Sequence, residues 1–203
     1  LLTRYEGDQL LGLFHSKVKM DVERINRNIN KIAEEAPIPN IRIKVGIYED
    51  VDTNLSIPVI CDRALMAEKS ISKDFKTNVA FYTDEMNQKQ LVQRQMENDF
   101  KSAIVNREFK VYYQPKYDVN TENIVGAEAL VRWQKPDGTL ISPGAFIPLF
   151  ESDGLVVHLD EYVFENVCQF QKERMENKLP MVPISVNLSR VSILFNDVVE
   201  HYV

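Results

Sequence analysis

Two β-rich runs, Phe109–Val119 and Ile124–Trp133, are joined only by the turn Asn120-Thr121-Glu122-Asn123, and the next strand-like run, Val182–Leu188, follows two helical stretches. That order constrains the fold more than any other feature of the chain. A short turn makes neighbouring strands antiparallel, whereas a crossover through helices brings the chain back parallel. The expected sheet therefore pairs Phe109–Tyr113 antiparallel with Ile124–Trp133, and Val182–Leu188 parallel with Ile124–Trp133. The crossover holds a short helix around Pro143–Phe150, after the loop Lys135-Pro136-Asp137-Gly138, and a longer one over Leu159–Asn177 with Leu159, Val163, Val167 and Phe170 on one side. A last helix is expected to begin near Ser192.

Side-chain parity then sorts residues onto faces. In Ile124–Trp133, Glu128, Leu130 and Arg132 share one face, opposite Ala127, Ala129 and Val131. In Val182–Ser189, Ser185, Asn187 and Ser189 oppose Ile184, Val186 and Leu188. Spacing alone leaves two readings open. Polar residues at alternate positions commonly face water. A carboxylate, a guanidinium and an amide on one face also suit a hard cation and a phosphate, because Mg²⁺ takes oxygen ligands and Arg pairs phosphate bidentately.

The preceding part of the chain alternates helix and strand. Leu1–Phe14 reads as a hairpin of two short apolar strands interrupted by Glu6-Gly7-Asp8. Lys17–Glu34 carries Val18, Val22, Ile25, Ile29 and Ile32 on one helical face, and Pro37 and Pro39 close it. A strand over Ile41–Ile47, a helix at Pro58–Lys69 and a strand at Val79–Tyr82 follow, feeding a mixed or antiparallel sheet. Thr83 is a candidate N-cap, with Asp84 and Glu85 in the first turn of a helix that meets no Gly or Pro before about Asn106. Val92, Met96, Phe100 and Ala103 line one face of this helix, a suitable inter-domain connector.

Composition excludes some functions. With 44% hydrophobic and 27% charged residues the chain has a globular balance, and no apolar run approaches the ~20 residues of a membrane span. The net charge of −6, without a Lys/Arg cluster, argues against a nucleic-acid polymer as partner. Cys61 and Cys168 read as buried, reduced thiols of a cytoplasmic protein, and His15, His158 and His201 have no metal-ligand spacing. The chain opens at Leu1-Leu2-Thr3 without an initiator Met, so a parent extending upstream, with room there for a membrane tether, is expected.

Particular residues narrow the reading. Tyr113-Gln114-Pro115-Lys116-Tyr117-Asp118 and Val125-Gly126-Ala127-Glu128-Ala129-Leu130-Val131-Arg132-Trp133 resemble the opening of the EAL family. So do Leu140-Ile141-Ser142-Pro143, Phe146-Ile147-Pro148-Leu149 and Ser185-Val186-Asn187-Leu188-Ser189, in the family's order. The resemblance implies a TIM-like barrel with an antiparallel first strand that hydrolyses cyclic di-GMP to linear pGpG with Mg²⁺ or Mn²⁺. It implies Glu128 and Asn187 as metal ligands. It further implies Gln114, Leu130, Arg132 and Pro148 as substrate-lining residues, with Arg132 on a phosphate. Such a barrel needs ~200 residues or more, so the general base, the paired aspartates and the lysine of the family are expected beyond Val203.

The first part resembles the C-terminal half of a GGDEF domain, a nucleotidyl-cyclase-like α+β sheet. Arg4-Tyr5-Glu6-Gly7-Asp8-Gln9-Leu10 occupies the signature hairpin, followed by Ile43-Lys44-Val45-Gly46-Ile47 and by Cys61-Asp62-Arg63-Ala64 through Ala67-Glu68-Lys69. The motif is degenerate. Glu6 stands where a small residue admits substrate, Gln9 replaces a carboxylate and Leu10 the closing Phe, leaving only Gly7 and Asp8 in place. The expected organisation is an α/β chain: residues 1–83 an inactive GGDEF part, 84–108 a connecting helix and 109–203 the incomplete N-terminal part of an EAL domain. The implied parent is a phosphodiesterase, a homodimer, with a regulatory GGDEF unit. The alternatives are a catalytically silent cyclic di-GMP receptor or scaffold, and a GTP-responsive interaction protein.

Overall fold

The computed structural model describes residues 1–15 and 20–195, with Phe195 described in its backbone only. Val18, the expected helix start at Lys17, and His201 lie outside the described residues. The chain divides into two units, Leu1–Leu91 and Val92–Val203, and the division falls inside one helix.

In the first unit, β1 (Leu2–Arg4) and β2 (Leu10–Gly12) form the expected antiparallel hairpin, in the register Leu2↔Gly12 to Arg4↔Leu10. Helix α1 (Val22–Glu35) starts at Asp21, whose carboxylate accepts from the Glu23 and Arg24 amides at 3.0 and 3.2 Å. Its end at Ala36, extended at ψ 140, follows from Pro37, which disfavours helical backbone in the residue before it. Only Ile25 and Ile29 of its apolar face turn onto the small core of Ile29, Ile47 and Val79; Ile32 stays 58% exposed.

β3 (Val45–Ile47), α2 (Ile57–Ile71) and β4 (Val79–Phe81) follow, and β3 pairs parallel with β4 in a two-stranded sheet separate from the hairpin. The strand expected over Ile41–Ile47 is thus shortened. β4 offers a ladder only to Val45–Ile47, and Lys44 instead sends its ammonium to the Asp74 carbonyl (2.6 Å), the Thr77 carbonyl and Asn78 Oδ1 (3.3 Å). Gly46 lets β3 lie directly on α2, since a Cβ there would collide with the Ala64 carbonyl and the Glu68 amide.

The division between the units lies in α3 (Asp84–Val105). In the second unit, β5 (Phe109–Tyr117) pairs antiparallel with β6 (Ile124–Gln134), apart from a bulge at Lys116/Tyr117. A two-residue strand that the sequence did not announce, β7 (Leu140–Ile141), pairs antiparallel with the end of β6. Then come α4 (Pro143–Ser152), α5 (Val156–Glu176), β8 (Ile184–Val186) and α6 (Arg190–Phe195). β8 runs parallel to β6, as the crossover requires, though over three residues instead of the expected seven from Val182 to Leu188.

Parity places Phe109, Val111 and Tyr113 with Trp133, Val131 and Ala129 on the face covered by helices. Phe109, Trp133, Phe146, Phe150, Val156 and Leu159 are all at most 1% exposed, and the Phe109 and Trp133 rings lie 4.9 Å apart. The buried Trp133 Nε1 donates to the Glu108 carboxylate at 2.9 Å, and Glu108 is itself 9% exposed. From α3, Met96, Phe100 and Ala103 join this core. Val92 does not and is 52% exposed, because the aromatic layer lies under the later turns of the helix.

Helices α3 and α5 both end in Schellman turns without glycine. Glu108 N bonds Ala103 O and Arg107 N bonds Ile104 O, with Arg107 at φ +55; Leu179 N bonds Arg174 O and Lys178 N bonds Met175 O, with Lys178 at φ +55. The expectation of two buried thiols holds for Cys61 only. Cys168 is exposed, since it lies about 100° round α5 from the core-facing Val167.

Candidate functional site

Ladder register brings the polar faces of three strands into one row. Gln114 of β5 is directly opposite Glu128 of β6, and Glu128 is directly opposite Ser185 of β8. Cross-strand partners of this kind have side chains within reach of one another. One residue past the end of β8, Asn187 donates from Nδ2 to Glu128 Oε1 at 2.8 Å. The two residues expected to share a ligand therefore meet. The sequence places them 59 positions apart, and the parallel crossover closes that distance.

Below this row, Lys116 donates from Nζ to Ser185 Oγ at 2.8 Å. Its stem crosses Gly126, its ladder partner, where a Cβ would meet the Pro183 carbonyl at 3.2 Å and Lys116 Cδ at 4.0 Å. Lys116 thus ties β5 to β8 across β6. Glu128 is half-buried, while Gln114, Ser185 and Asn187 are exposed.

The expected convergence of Arg132 with Glu128 and Asn187 is found only in part: Arg132 and Asn187 border one cavity, and Glu128 is not among its lining residues. Arg132 stands on the same strand face but about 13 Å further along β6, four residues at ~3.3 Å each. Its Nη1 donates to the Val131 carbonyl at 2.8 Å. Leu130 lies between them, half-buried. Glu128 is also mid-strand in β6, not at the C-terminal end; the end of β8 is what reaches its level. Pro148 is exposed, inside α4, and does not line the cavity that its neighbour Ile147 lines.

That cavity, about 270 Å³, is bounded by Leu130, Arg132, Ile147, Asn187, Asp160 and Glu151, among others. Two of these carboxylates were not singled out from the sequence. Asp160 is 7% exposed and its Oδ2 accepts from Ser189 N at 2.8 Å and from Ser192 Oγ at 2.6 Å. Burial raises its pKa, the Ser192 and Ser189 hydrogen bonds pull it back, and the charge of Glu151 adds to the rise. Glu151 accepts from Ser189 Oγ at 2.7 Å. A signal for Asp160 was present: it is a lone charge inside the apolar stripe Val156, Leu159, Val163, Val167.

In the first unit, the hairpin tip is closed by Gln9 N bonding Glu6 O (2.7 Å) and Tyr5 N bonding Gln9 O (3.0 Å), with Gly7 at φ +54. Arg4 bonds the Gly7 carbonyl through Nε and Nη2 at 2.9 and 2.7 Å. Glu6, Gly7, Asp8 and Leu10 are exposed and Gln9 is half-buried. Among the described residues no cluster of three or more His, Cys, Asp or Glu is arranged to hold a metal, and no helix is long and apolar enough to cross a membrane.

The segment that holds β5, β6 and β8 has counterparts among known proteins. The EAL domain model matches residues 97–202. MucR of Pseudomonas aeruginosa, a bifunctional diguanylate cyclase/cyclic di-GMP phosphodiesterase, is 27% identical over 208 residues, 98% of this chain but 30% of that protein. PdeB of Escherichia coli, a probable cyclic di-GMP phosphodiesterase, is 36% identical over 107 residues, 49% of this chain and 20% of that protein. The chain thus spans less than a third of the length of either relative. In fold it is similar to the EAL enzyme Bd1971 in its cAMP- and cyclic-di-GMP-bound form, with a TM-score of 0.50 and 23% identity over 74% of this chain and 40% of that one. With the family's model matched over more than half of its residues, the chain belongs to the EAL domain family.

Proposed function

We propose that this chain contributes part of the active site of a phosphodiesterase that hydrolyses cyclic di-GMP to linear pGpG. The observation that carries the reading is the 2.8 Å contact between Asn187 and Glu128, in one row with Gln114, within the segment that matches the EAL model. A carboxylate and an amide side by side on an open strand face fit a hard divalent cation, Mg²⁺ or Mn²⁺, which takes oxygen donors. Glu128 would provide the anionic oxygen and Asn187 its amide oxygen, while the amide nitrogen of Asn187 orients the Glu128 carboxylate. When bound, such a cation supplies Lewis acidity toward phosphoryl oxygens.

Gln114, opposite Glu128, presents an amide to a ligand on that face, and Leu130 an apolar surface. Arg132 has guanidinium N–H groups beyond the one held by Val131, enough to pair a phosphate further along the strand. Residues 109–203 form the N-terminal part of a TIM-like EAL domain in this reading, with 84–108 as connecting helix. Residues 1–83 are then the C-terminal part of a GGDEF domain without cyclase activity. The support for that last point is chemical: Gln9 lacks the anion that holds metal against a triphosphate, and Glu6 adds bulk and charge at the hairpin tip.

The test is turnover of cyclic di-GMP by the full-length protein with Mg²⁺ or Mn²⁺, followed by chromatography, with GTP as a parallel substrate. Cyclic di-GMP is converted to pGpG, Glu128→Ala abolishes conversion while the fold persists, and GTP yields no cyclic product. Wild-type turnover by Glu128→Ala overturns the metal role. Tight binding without any turnover by the wild type makes the protein a receptor instead.

A further inference from the structure

Asn187 belongs to a stretch of only two residues, Asn187 and Leu188, between two fixed points. Before it, Val186 is locked in the ladder opposite Ala129 of β6. After it, Ser189 is gripped by two carboxylates from different helices: Asp160 of α5 takes its backbone N–H at 2.8 Å, and Glu151 of α4 takes its hydroxyl at 2.7 Å. Asp160 also holds Ser192 Oγ at 2.6 Å, one turn into α6. Ser189 in turn caps α6 by accepting from Val191 N at 3.2 Å.

The grip of Asp160 is of the stronger kind. It is buried beside Val156, Leu159 and Val163, where a carboxylate is tolerated only with donors on it, and charge-assisted bonds in such surroundings are short and stiff. Glu151, by contrast, is exposed. We propose that Asp160 is a positioning residue: by holding Ser189 and Ser192 it fixes the loop after β8 so that Asn187 meets Glu128. The inference rests on the metal-binding reading of Glu128 and Asn187 given above. It adds that the metal affinity of the site is set in part from α5, by a side chain that touches neither metal nor substrate.

The test uses the full-length protein and Mn²⁺, with binding read by the electron paramagnetic resonance of free Mn²⁺ and, separately, half-saturating Mn²⁺ for turnover. Asp160→Ala weakens Mn²⁺ binding about tenfold, the lower end of what removing a residue behind a metal ligand costs, and KM for cyclic di-GMP at saturating Mn²⁺ stays near wild type. Asp160→Asn, which keeps an acceptor oxygen for Ser189 and Ser192, recovers most of that loss. A residue needed only for folding would lower the active fraction without moving Mn²⁺ half-saturation. Wild-type Mn²⁺ affinity in Asp160→Ala therefore overturns the proposal. Should that variant fail to fold, Ser192→Ala decides: it removes one of the two bonds, and an unchanged Mn²⁺ half-saturation likewise overturns it. Glu128→Ala separates the two claims. Mn²⁺ binding that survives Glu128→Ala refutes the site itself, whereas binding lost in Glu128→Ala but intact in Asp160→Ala refutes only the positioning role.

Discussion

Replacing Glu108 by Ala removes the acceptor that the Trp133 indole N–H has among the described residues. That N–H sits on a fully buried ring, 2.9 Å from Glu108 Oε2. A buried donor left without a partner costs about 1–3 kcal/mol. The backbone of Glu108 is undisturbed: its N–H bonds Ala103 O and its carbonyl accepts from Gln134 N in either variant. Glu108→Gln keeps an amide oxygen in place and exchanges only a charge-assisted bond for a neutral one, a loss of about 1 kcal/mol. At the middle of these ranges the two variants differ by about 1 kcal/mol, the excess cost of the orphaned indole. Trp133 is the single tryptophan of the chain, so its fluorescence follows the second unit without interference from the first. With a urea slope of about 1.5 kcal/mol/M, the Ala midpoint falls about 0.7 M below that of Gln. Midpoints that coincide would show that the indole finds another partner, and the reasoning would be wrong.

Three further outcomes follow from other elements. Gly46→Ala drives a methyl into α2 and destabilises the first unit by about 2–3 kcal/mol, seen as a lower thermal midpoint by circular dichroism. Arg107→Gly relieves a non-glycine residue at φ +55 and stabilises the second unit by about 0.5–1 kcal/mol in urea unfolding. The Asp99 pKa is lowered, first by its hydrogen bond to Lys135 (2.7 Å) and also by Gln95. Its stabilising contribution is therefore present above the ordinary carboxylate pKa of about 4 and is lost as pH falls through the lower folded value. Between pH 6 and 3, the unfolding midpoint of Asp99→Asn should fall less steeply than that of wild type.

The sequence was most readable where a period of two met a change of chain direction. Parity in Ile124–Trp133 and Ser185–Ser189, with a short turn on one side and a helical crossover on the other, put Glu128 and Asn187 on the polar faces of parallel strands, and the resemblance to the EAL family singled them out as a pair. Parity said less about Arg132, which borders a cavity with Asn187 but stands four residues along the strand from Glu128, because parity names a face and not a position along it. Helix ends were obscured for a related reason. Arg107 and Lys178 stand where glycine is the usual signal, so neither stop was marked by residue type. The strand at Ile41–Lys44 failed because alternation identifies a half-buried extended segment but cannot supply the ladder partner that makes it a strand. β7 is too short for any periodicity to register. Asp160 was legible in hindsight as a charge in an apolar stripe, although its partners Ser189 and Ser192 become visible only once α6 is folded against α5.

The bulge at Lys116/Tyr117 bears on which length changes this chain can tolerate during descent. A residue gained or lost in the turn from Asp118 to Asn123 lies beyond the bulge, where pairing is already irregular, and the slack can be taken up there without shifting Gln114 against Glu128. A single deletion between Glu128 and Trp133 has no such outlet. With Trp133 held in the aromatic core, the deletion would rotate Glu128 to the helix-covered side and bring Ala127 into the row in its place. Insertions and deletions among natural homologues should accordingly collect in the turn and be absent from the four positions that separate Glu128 from the tryptophan.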